Sequence, residues 1–257
     1  MTQTASRTEQ VPALFDEVAS TYDLMVALNP GYQRQLQASA RVLVEQLRET
    51  APSRPVRPVR VVDLGCGSGA STRALETELR RAGLPHELVG VDGSAGMLEQ
   101  ARRKRWAGDV RFVQADAERL AEGRWDVEGL PAAGEVDAVF AAYLVRNVSR
   151  RDELLAQLRT WLRPGGALVL HEYSVRDSRR ARAVWTAVTW GVVVPLGLLT
   201  APRSPIYRYL WRSVVDFDGA SRLRGRMVGA GYADVRSRSF TGWQRGVLHT
   251  FVGRAPA

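Results

Sequence analysis

The stretch Val61-Val62-Asp63-Leu64-Gly65-Cys66-Gly67-Ser68-Gly69 decides the fold. A short apolar run, Val59 to Leu64, stops at alternating glycines. A run of that length bounded by turn residues reads as a buried parallel strand. Glycines let the chain turn tightly and let a ligand approach the backbone. One reading is a strand-to-helix turn with no ligand. Another is a dinucleotide site, since Gly65, Gly67 and Ala70 satisfy the loose fingerprint G-x-G-x-x-G/A. Asp63 argues against the second. A carboxylate ahead of the loop repels a pyrophosphate, which wants bare amides and a helix N-terminus. It suits a ligand carrying an ammonium group.

Outward from the loop, strand and helix patterns alternate. Helices are predicted over Ser71 to Arg81 with Gly83 as C-cap, Ser94 to Trp106 with Ser94 as N-cap, and Ser149 to Leu162. Strands are predicted over Glu87 to Val91, Val110 to Gln114, Val136 to Ala142 and Ala167 to Glu172, the last entered through a Pro164-Gly165-Gly166 turn. This rhythm means an α/β fold, a parallel sheet covered by helices on both faces. In the tail, Ser221 to Gly231 reads as a helix, and Val235 to Phe240 and Gly246 to Val252 as strands close enough to pair antiparallel. Upstream, residues 11–49 carry helical spacing broken at Asn29-Pro30-Gly31, and the proline-rich Ala51 to Pro58 leads into the core. The expected organisation is one domain, 1–257. It comprises an N-terminal helical lid (11–50), a cofactor-binding core (56–175), a helical cap insertion (176–218) and a final helix with strands (219–257).

Two more acids close the second and third strands. Asp92 can accept both hydroxyls of a ribose, and Asp116 either the amino group of an adenine or the amides of a helix it caps. Ligands of open α/β sheets bind at the C-terminal strand ends, where Asp63, Asp92 and Asp116 all fall. S-adenosylmethionine has an ammonium, a sulfonium, a ribose, an adenine and no phosphate. Its expected contacts are Asp63, Gly65, Cys66, Gly67, Ser68, Gly69, Asp92, Gly93, Met97, Asp116 and Ala117.

With these residues in view, the chain resembles class I methyltransferases, whose first three motifs look like Asp63 to Gly69, Asp92 and Asp116. Leu162-Arg163-Pro164-Gly165-Gly166 is similar to their later LxPGG motif. The resemblance implies a doubly wound, Rossmann-like sheet of seven strands with an antiparallel terminal strand. A narrower resemblance is to the family that C-methylates prenylated quinone precursors in menaquinone and ubiquinone biosynthesis. It is carried by Phe15-Asp16-Glu17-Val18-Ala19, Tyr22-Asp23-Leu24-Met25, Val145-Arg146-Asn147-Val148, Pro195-Leu196-Gly197, Tyr207-Arg208-Tyr209-Leu210, and Thr241-Gly242 with His249. The chain departs from that family at Cys66-Gly67-Ser68-Gly69, at Tyr143-Leu144-Val145 where an aromatic-Gly-Leu is usual, and in the extra stretch Glu122 to Gly134.

The resemblance implies methyl transfer from S-adenosylmethionine, leaving S-adenosylhomocysteine, to a ring carbon of a prenylated quinol such as demethylmenaquinol, without a metal. It implies catalytic roles for Arg146, Asn147 and Tyr22. Arg146 would stabilise an enolate or orient a water acting as base, Asn147 would hold cofactor or acceptor oxygen, and Tyr22 would close over the cofactor. Without the resemblance, Arg146 reads as a surface arginine; Tyr22 reads equally as part of a lid over the cofactor or as a ring packed on the core. Two other acceptor or activity classes stay open: methylation of a soluble small molecule, and NAD-dependent oxidoreduction, against which Asp63 and the LxPGG motif stand. A fourth is a non-catalytic protein that kept the cofactor fold.

Bulk properties narrow the rest. The formal net charge is +9, almost all of it arginine, with Lys104 the one lysine. No recognition module or aromatic-interleaved basic stripe points to nucleic acid. The dense clusters, Arg102 to Arg105 and Arg176 to Arg182, read as solvated surface first and as contacts to an anionic membrane second. Cys66 alone excludes a disulfide framework and reads as a loop filler. The polar stretch Met1 to Gln10 makes the cytoplasm, or the inner membrane face, the expected compartment. Ala183 to Thr200 is nearly uncharged, but Gly191, Pro195 and Gly197 interrupt it, so it reads as a cap over the pocket. Trp185 and Trp190 favour an interface. The partner is then a small, hydrophobic molecule, and the oligomeric state is open, with a homodimer among the options. His86 and His171 have no motif support as bases, although His171 could border the pocket; His249 lies in a strand, where a structural histidine is the commoner case.

Overall fold

The computed structural model describes residue 16 and residues 31–50, 57–124, 127–195 and 206–256. Seven strands form one sheet: β1 (Val59–Leu64), β2 (His86–Asp92), β3 (Asp109–Gln114), β4 (Val136–Ala142), β5 (Leu162–Tyr173), β6 (Ala233–Ser239) and β7 (Leu248–Arg254). Their order is β3-β2-β1-β4-β5-β7-β6. Pairings among β1 to β5 are parallel, and β7 runs antiparallel to both β5 and β6. The order reverses between β1 and β4, which opens a crevice at their C-terminal ends.

Alternation along the strands sends successive side chains to opposite faces. Val62, Leu64, Val139, Ala141, Leu168 and Leu170 share one buried cluster with α5 (Arg151–Trp161) and α8 (Ala220–Gly229). Val61, Ala138, Phe140 and Val169 share the other with α1 (Tyr32–Thr50) and α2 (Ala70–Arg81). The remaining helices are α3 (Ala95–Arg103), α4 (Ala117–Ala121), α6 (Arg179–Val188) and α7 (Ile206–Asp216). A third cluster, holding Tyr173, Trp185, Val214 and Leu248, joins α6 and α7 to the end of β5. The edge strand β6 is largely exposed and carries Arg236 and Arg238, charges that discourage pairing with a further strand.

Three differences between predicted and observed elements bear on the site. The LxPGG segment is part of β5 and not a turn before it. Val136 pairs with Leu162, and the register then shifts. Gly165, at φ +75°, lies within that irregular stretch. The second predicted helix stops at Arg103 because Lys104 turns extended. That turn sends the Lys104 ammonium to the Ser68 carbonyl at 2.7 Å. In the apolar segment, α6 runs on into a π-helical turn, Thr189–Val193, and residues 196–200 lie outside the described ones. Trp185 is buried against Tyr173, with ring centroids 4.5 Å apart, so it faces no interface; Trp190 is 45% exposed. Among the described residues no helix is long and apolar enough to cross a membrane.

Candidate active site

The glycine loop follows β1 into the crevice. Gly65, Gly67 and Gly69 all take positive φ, +74°, +54° and +90°, which explains glycine at alternate positions. The amides of Gly65 and Cys66 both donate to the Val91 carbonyl, at 2.7 and 3.0 Å, fastening the loop to β2. A side chain at Gly67 would project into open space. At Gly69 it would meet the Trp106 ring at 3.0 Å. Cys66 is buried, and burial pushes its thiol well above the usual range. A methyl at Gly90 would meet its sulfur at 3.1 Å, so Cys66 fills the space over β2, as a filler and not a nucleophile.

The strand-end acids take three different positions. Asp92 accepts from the Gly67 amide at 2.8 Å and the Ser94 amide at 2.9 Å. Burial raises its carboxyl pKa, and those amide bonds oppose the rise. Asp116 lines the cleft and also caps α4, accepting from Glu118 N at 2.9 Å, so its two candidate roles coexist. Asp63 lies beneath the loop, fully buried. Its Oδ2 accepts from Ser71 and Thr72 at 2.7 and 2.6 Å, while Oδ1 is buried without a partner. Burial pushes its carboxyl up to about 7, against the two hydroxyl bonds. All the residues predicted to contact the cofactor line one cleft except Asp63 and Gly69, which sit behind it.

The same cleft continues to the end of β4. Arg146 and Asn147 lie there in a 3-10 turn, Val145–Asn147, and both line it. Arg146 is 6% exposed, which corrects the surface-arginine reading. Its Nη1 donates to Glu172 Oε1 and to the Tyr143 carbonyl, both at 2.7 Å, and its Nε to Ser213 Oγ at 3.3 Å. Burial alone would lower its pKa, but the Glu172 carboxylate more than offsets that and holds the guanidinium above its ordinary value. Asn147 donates to the Tyr143 carbonyl at 3.1 Å and accepts from the Tyr209 hydroxyl at 3.0 Å. Tyr32 and Tyr143 form an aromatic wall, stacked with centroids 5.6 Å apart. Tyr22 lies outside the described residues.

Sequence reasoning missed several partners. Glu172 reads from sequence only as a strand residue, although a carboxylate two positions after the apolar run Ala167 to Leu170 signals a buried cation opposite it. Asp16, part of the N-terminal motif, accepts from the Gly96 amide at 2.9 Å and from Ser94 Oγ, beside Asp92. His171 borders the cleft only through Tyr143, whose hydroxyl it meets at 2.9 Å. His249 is buried opposite Glu172 on β7, and burial pushes it down to about 4. His86 bonds the Leu84 carbonyl at the other end of β2.

Comparison with known proteins accounts for this arrangement. The model of the ubiE/COQ5 methyltransferase family matches residues 3–253. The chain belongs to that family. It is similar to the ubiquinone/menaquinone biosynthesis C-methyltransferase UbiE of Stutzerimonas stutzeri strain A1501, at 30% identity over 93% of this chain and 87% of that one. It is 33% identical to the demethylmenaquinone methyltransferase of Clavibacter sepedonicus, over 96% and 91% of the two chains. Among solved structures, the DszA carbon methyltransferase superposes with a TM-score of 0.65 at 17% identity, covering 98% of this chain and 68% of that one. The S-adenosylmethionine complex of Haemonchus contortus phosphoethanolamine N-methyltransferase 2 gives 0.60 at 16% identity, covering 94% and 57%. At such identities structural likeness establishes the Rossmann-like class I fold. This ubiE/COQ5 family member is an S-adenosylmethionine-dependent methyltransferase. Its own residues fit that cofactor: open space over Gly67 and, lining the cleft, Asp92 at the end of β2 and Asp116 just past β3.

Proposed function

We propose that this methyltransferase acts on a ring carbon of a prenylated quinol of the demethylmenaquinol class. The observation that carries the reading is a single cleft that runs from the glycine loop and Asp92 to the Arg146–Asn147 corner and the Tyr32–Tyr143 wall. The names of the relatives support it. When bound, S-adenosylmethionine supplies an electrophilic sulfonium methyl. Asp92 would hold the ribose hydroxyls, Asp116 and Ala117 the adenine, and the loop, with Asp63 bracing it from beneath, the amino-acid end. A quinol ring carbon becomes nucleophilic as its hydroxyl loses a proton. Arg146, permanently charged, cannot take that proton; a water it orients would accept it, and the guanidinium would stabilise the oxyanion left behind. As the ring carbon takes the methyl, the S–CH3 bond breaks to leave S-adenosylhomocysteine, and the ring's displaced proton leaves to water. Asn147 orients the acceptor oxygen, and the aromatic wall excludes water from the ring. The contact of Asp16 with the start of α3 supports reading 11–50 as a lid over this cleft.

Purified protein with S-adenosylmethionine and a short-tailed demethylmenaquinol should yield the methylated quinol by mass spectrometry. Arg146→Ala should abolish that turnover with S-adenosylhomocysteine binding nearly intact. Absence of product from the unaltered enzyme would remove the quinol acceptor.

The far end of α6 supports a peripheral membrane contact for reaching a prenylated acceptor. Trp190 and Val192 are 45% and 47% exposed, and Arg179, Arg180, Arg182 and Arg212 are exposed on α6 and α7. The protein should float with anionic vesicles and not with zwitterionic ones. Equal flotation on both, or none, would remove the contact.

A further inference from the structure

We infer that Tyr143 and His171 act as a positioning pair, whose hydroxyl–imidazole contact holds the strained carbonyl that gathers Arg146 and Asn147. The inference rests on the methyl-transfer reading for its effect on turnover, but not for its geometry.

Tyr143 takes φ +57°; apart from Asp234 it is the only described non-glycine residue with a positive φ. An aromatic residue stays in that region only when its surroundings over-determine it. Here they do. Its amide donates to the His171 carbonyl at 2.8 Å, its ring stacks between Tyr32 and Tyr173, and its hydroxyl meets His171 Nε2 at 2.9 Å. The product of this strained backbone is one carbonyl with two donors, Arg146 Nη1 at 2.7 Å and Asn147 Nδ2 at 3.1 Å. Both candidate catalytic side chains are thus aimed by the same oxygen.

His171 is itself immobilised. It is fully buried, and its Nδ1 meets Ser39 Oγ of α1 at 2.7 Å; that oxygen meets Thr250 Oγ1 of β7 at 2.6 Å. With both ring nitrogens engaged, the imidazole has one orientation. The chain of contacts does not move protons. Burial pushes His171 down to about 3 and the Tyr143 phenol well above its usual range, so both stay neutral at working pH. It also ends at a buried threonine. What it supplies is geometry, and Phe at position 143 would keep the ring while orphaning Nε2.

The test compares Tyr143→Phe, His171→Gln and His171→Asn in the full chain. A Gln amide reaches toward the Nε2 position and an Asn amide toward Nδ1, so only His171→Gln keeps a partner at position 171 for the Tyr143 hydroxyl, which also meets the Tyr173 side chain. Tyr143→Phe and His171→Asn should lower kcat on demethylmenaquinol by about tenfold or more, since small misplacements at a reacting centre are costly. S-adenosylhomocysteine affinity should stay within about twofold by calorimetry, because the loop and Asp92 are untouched. The Arg146 guanidinium NMR signals, resolved while its bonds are held, should average. His171→Gln should restore both kcat and the resolved signals. If His171→Gln is no better than His171→Asn, or Tyr143→Phe keeps kcat and resolved Arg146 signals, the pair does not position. If the unaltered enzyme methylates no demethylmenaquinol, the acceptor assignment fails alone, and the Arg146 signals still decide between the variants. Should Tyr143→Phe not fold, the two His171 variants carry the comparison.

Discussion

The two halves of the cleft are built by opposite means. The cofactor half is made of backbone: a loop whose glycines take positive φ, fastened to Val91 O, with acids at successive strand ends. Each of its parts sits within a few residues of a strand end. The other half, proposed to take the acceptor, is made of side chains held by distant ones: Arg146 by Glu172 and Ser213, Asn147 by Tyr209, Tyr143 by His171 and through it Ser39. A site made of backbone tolerates changes of neighbouring side chain. A site made of interlocked side chains fails when one member goes. This difference predicts that variants will separate into those that lose binding and those that lose chemistry.

The largest effect should come from Glu172→Ala, which leaves Arg146 as a buried charge without its partner. Breaking a buried pair from one side costs about 3–5 kcal/mol of stability, read from denaturant midpoints. Turnover should vanish, while the folded fraction still binds S-adenosylhomocysteine. If that affinity falls in step with turnover, the two halves are not separable. Asp92→Ala is next. It removes the acceptor of the Gly67 amide and the proposed acceptor of the ribose, and should weaken S-adenosylhomocysteine by roughly 1.5–3 kcal/mol, on the scale of a hydrogen bond to a charged group. Calorimetry reads this directly.

Asp63→Asn sharpens the comparison because it acts in opposite directions on binding and stability. The Asp63 carboxyl is pushed from 3.8 up to about 7 on folding. A raised acid favours the fold below its unfolded value and loses that contribution as pH rises through about 7. Above neutrality, Asp63→Asn should therefore be more stable than the parent by about 1–3 kcal/mol, the gain shrinking toward about pH 4. It should weaken cofactor binding above about pH 7, where the parent carboxyl is ionised, and by less below it. A stability difference that grows on acidification would contradict the burial account. The smallest effect is expected from Asp16→Ala, which loses a part-buried bond to Ser94 and an exposed one to Gly96 and should weaken cofactor binding by about 1 kcal/mol.

This contrast also explains what could be read from the chain. The loop, Asp92 and Asp116 were legible because local spacing alone brings them to strand ends. Ser94 and Asp116 cap their helices for the same local reason. β4 was read with its observed bounds because it is apolar and flanked by breaks. The Arg146–Asn147 corner could be named from family likeness, but its anchoring could not, since Glu172, His171 and Ser39 reach it only after β5 and α1 pack beside β4. Family likeness likewise gives no hint of Tyr143 φ +57°, which depends on rings from α1 and β5. The LxPGG segment misled for a different reason: glycines that commonly end a strand here let one carry an irregular register.

Lys104 is the only lysine, and its ammonium grips the Ser68 carbonyl. An acylating reagent aimed at side-chain amines therefore has one target in this protein, and it falls on the brace of the glycine loop. The extent of labelling reports on that loop alone, and attaching the enzyme to a surface through lysine would tether it beside the loop proposed to hold its cofactor.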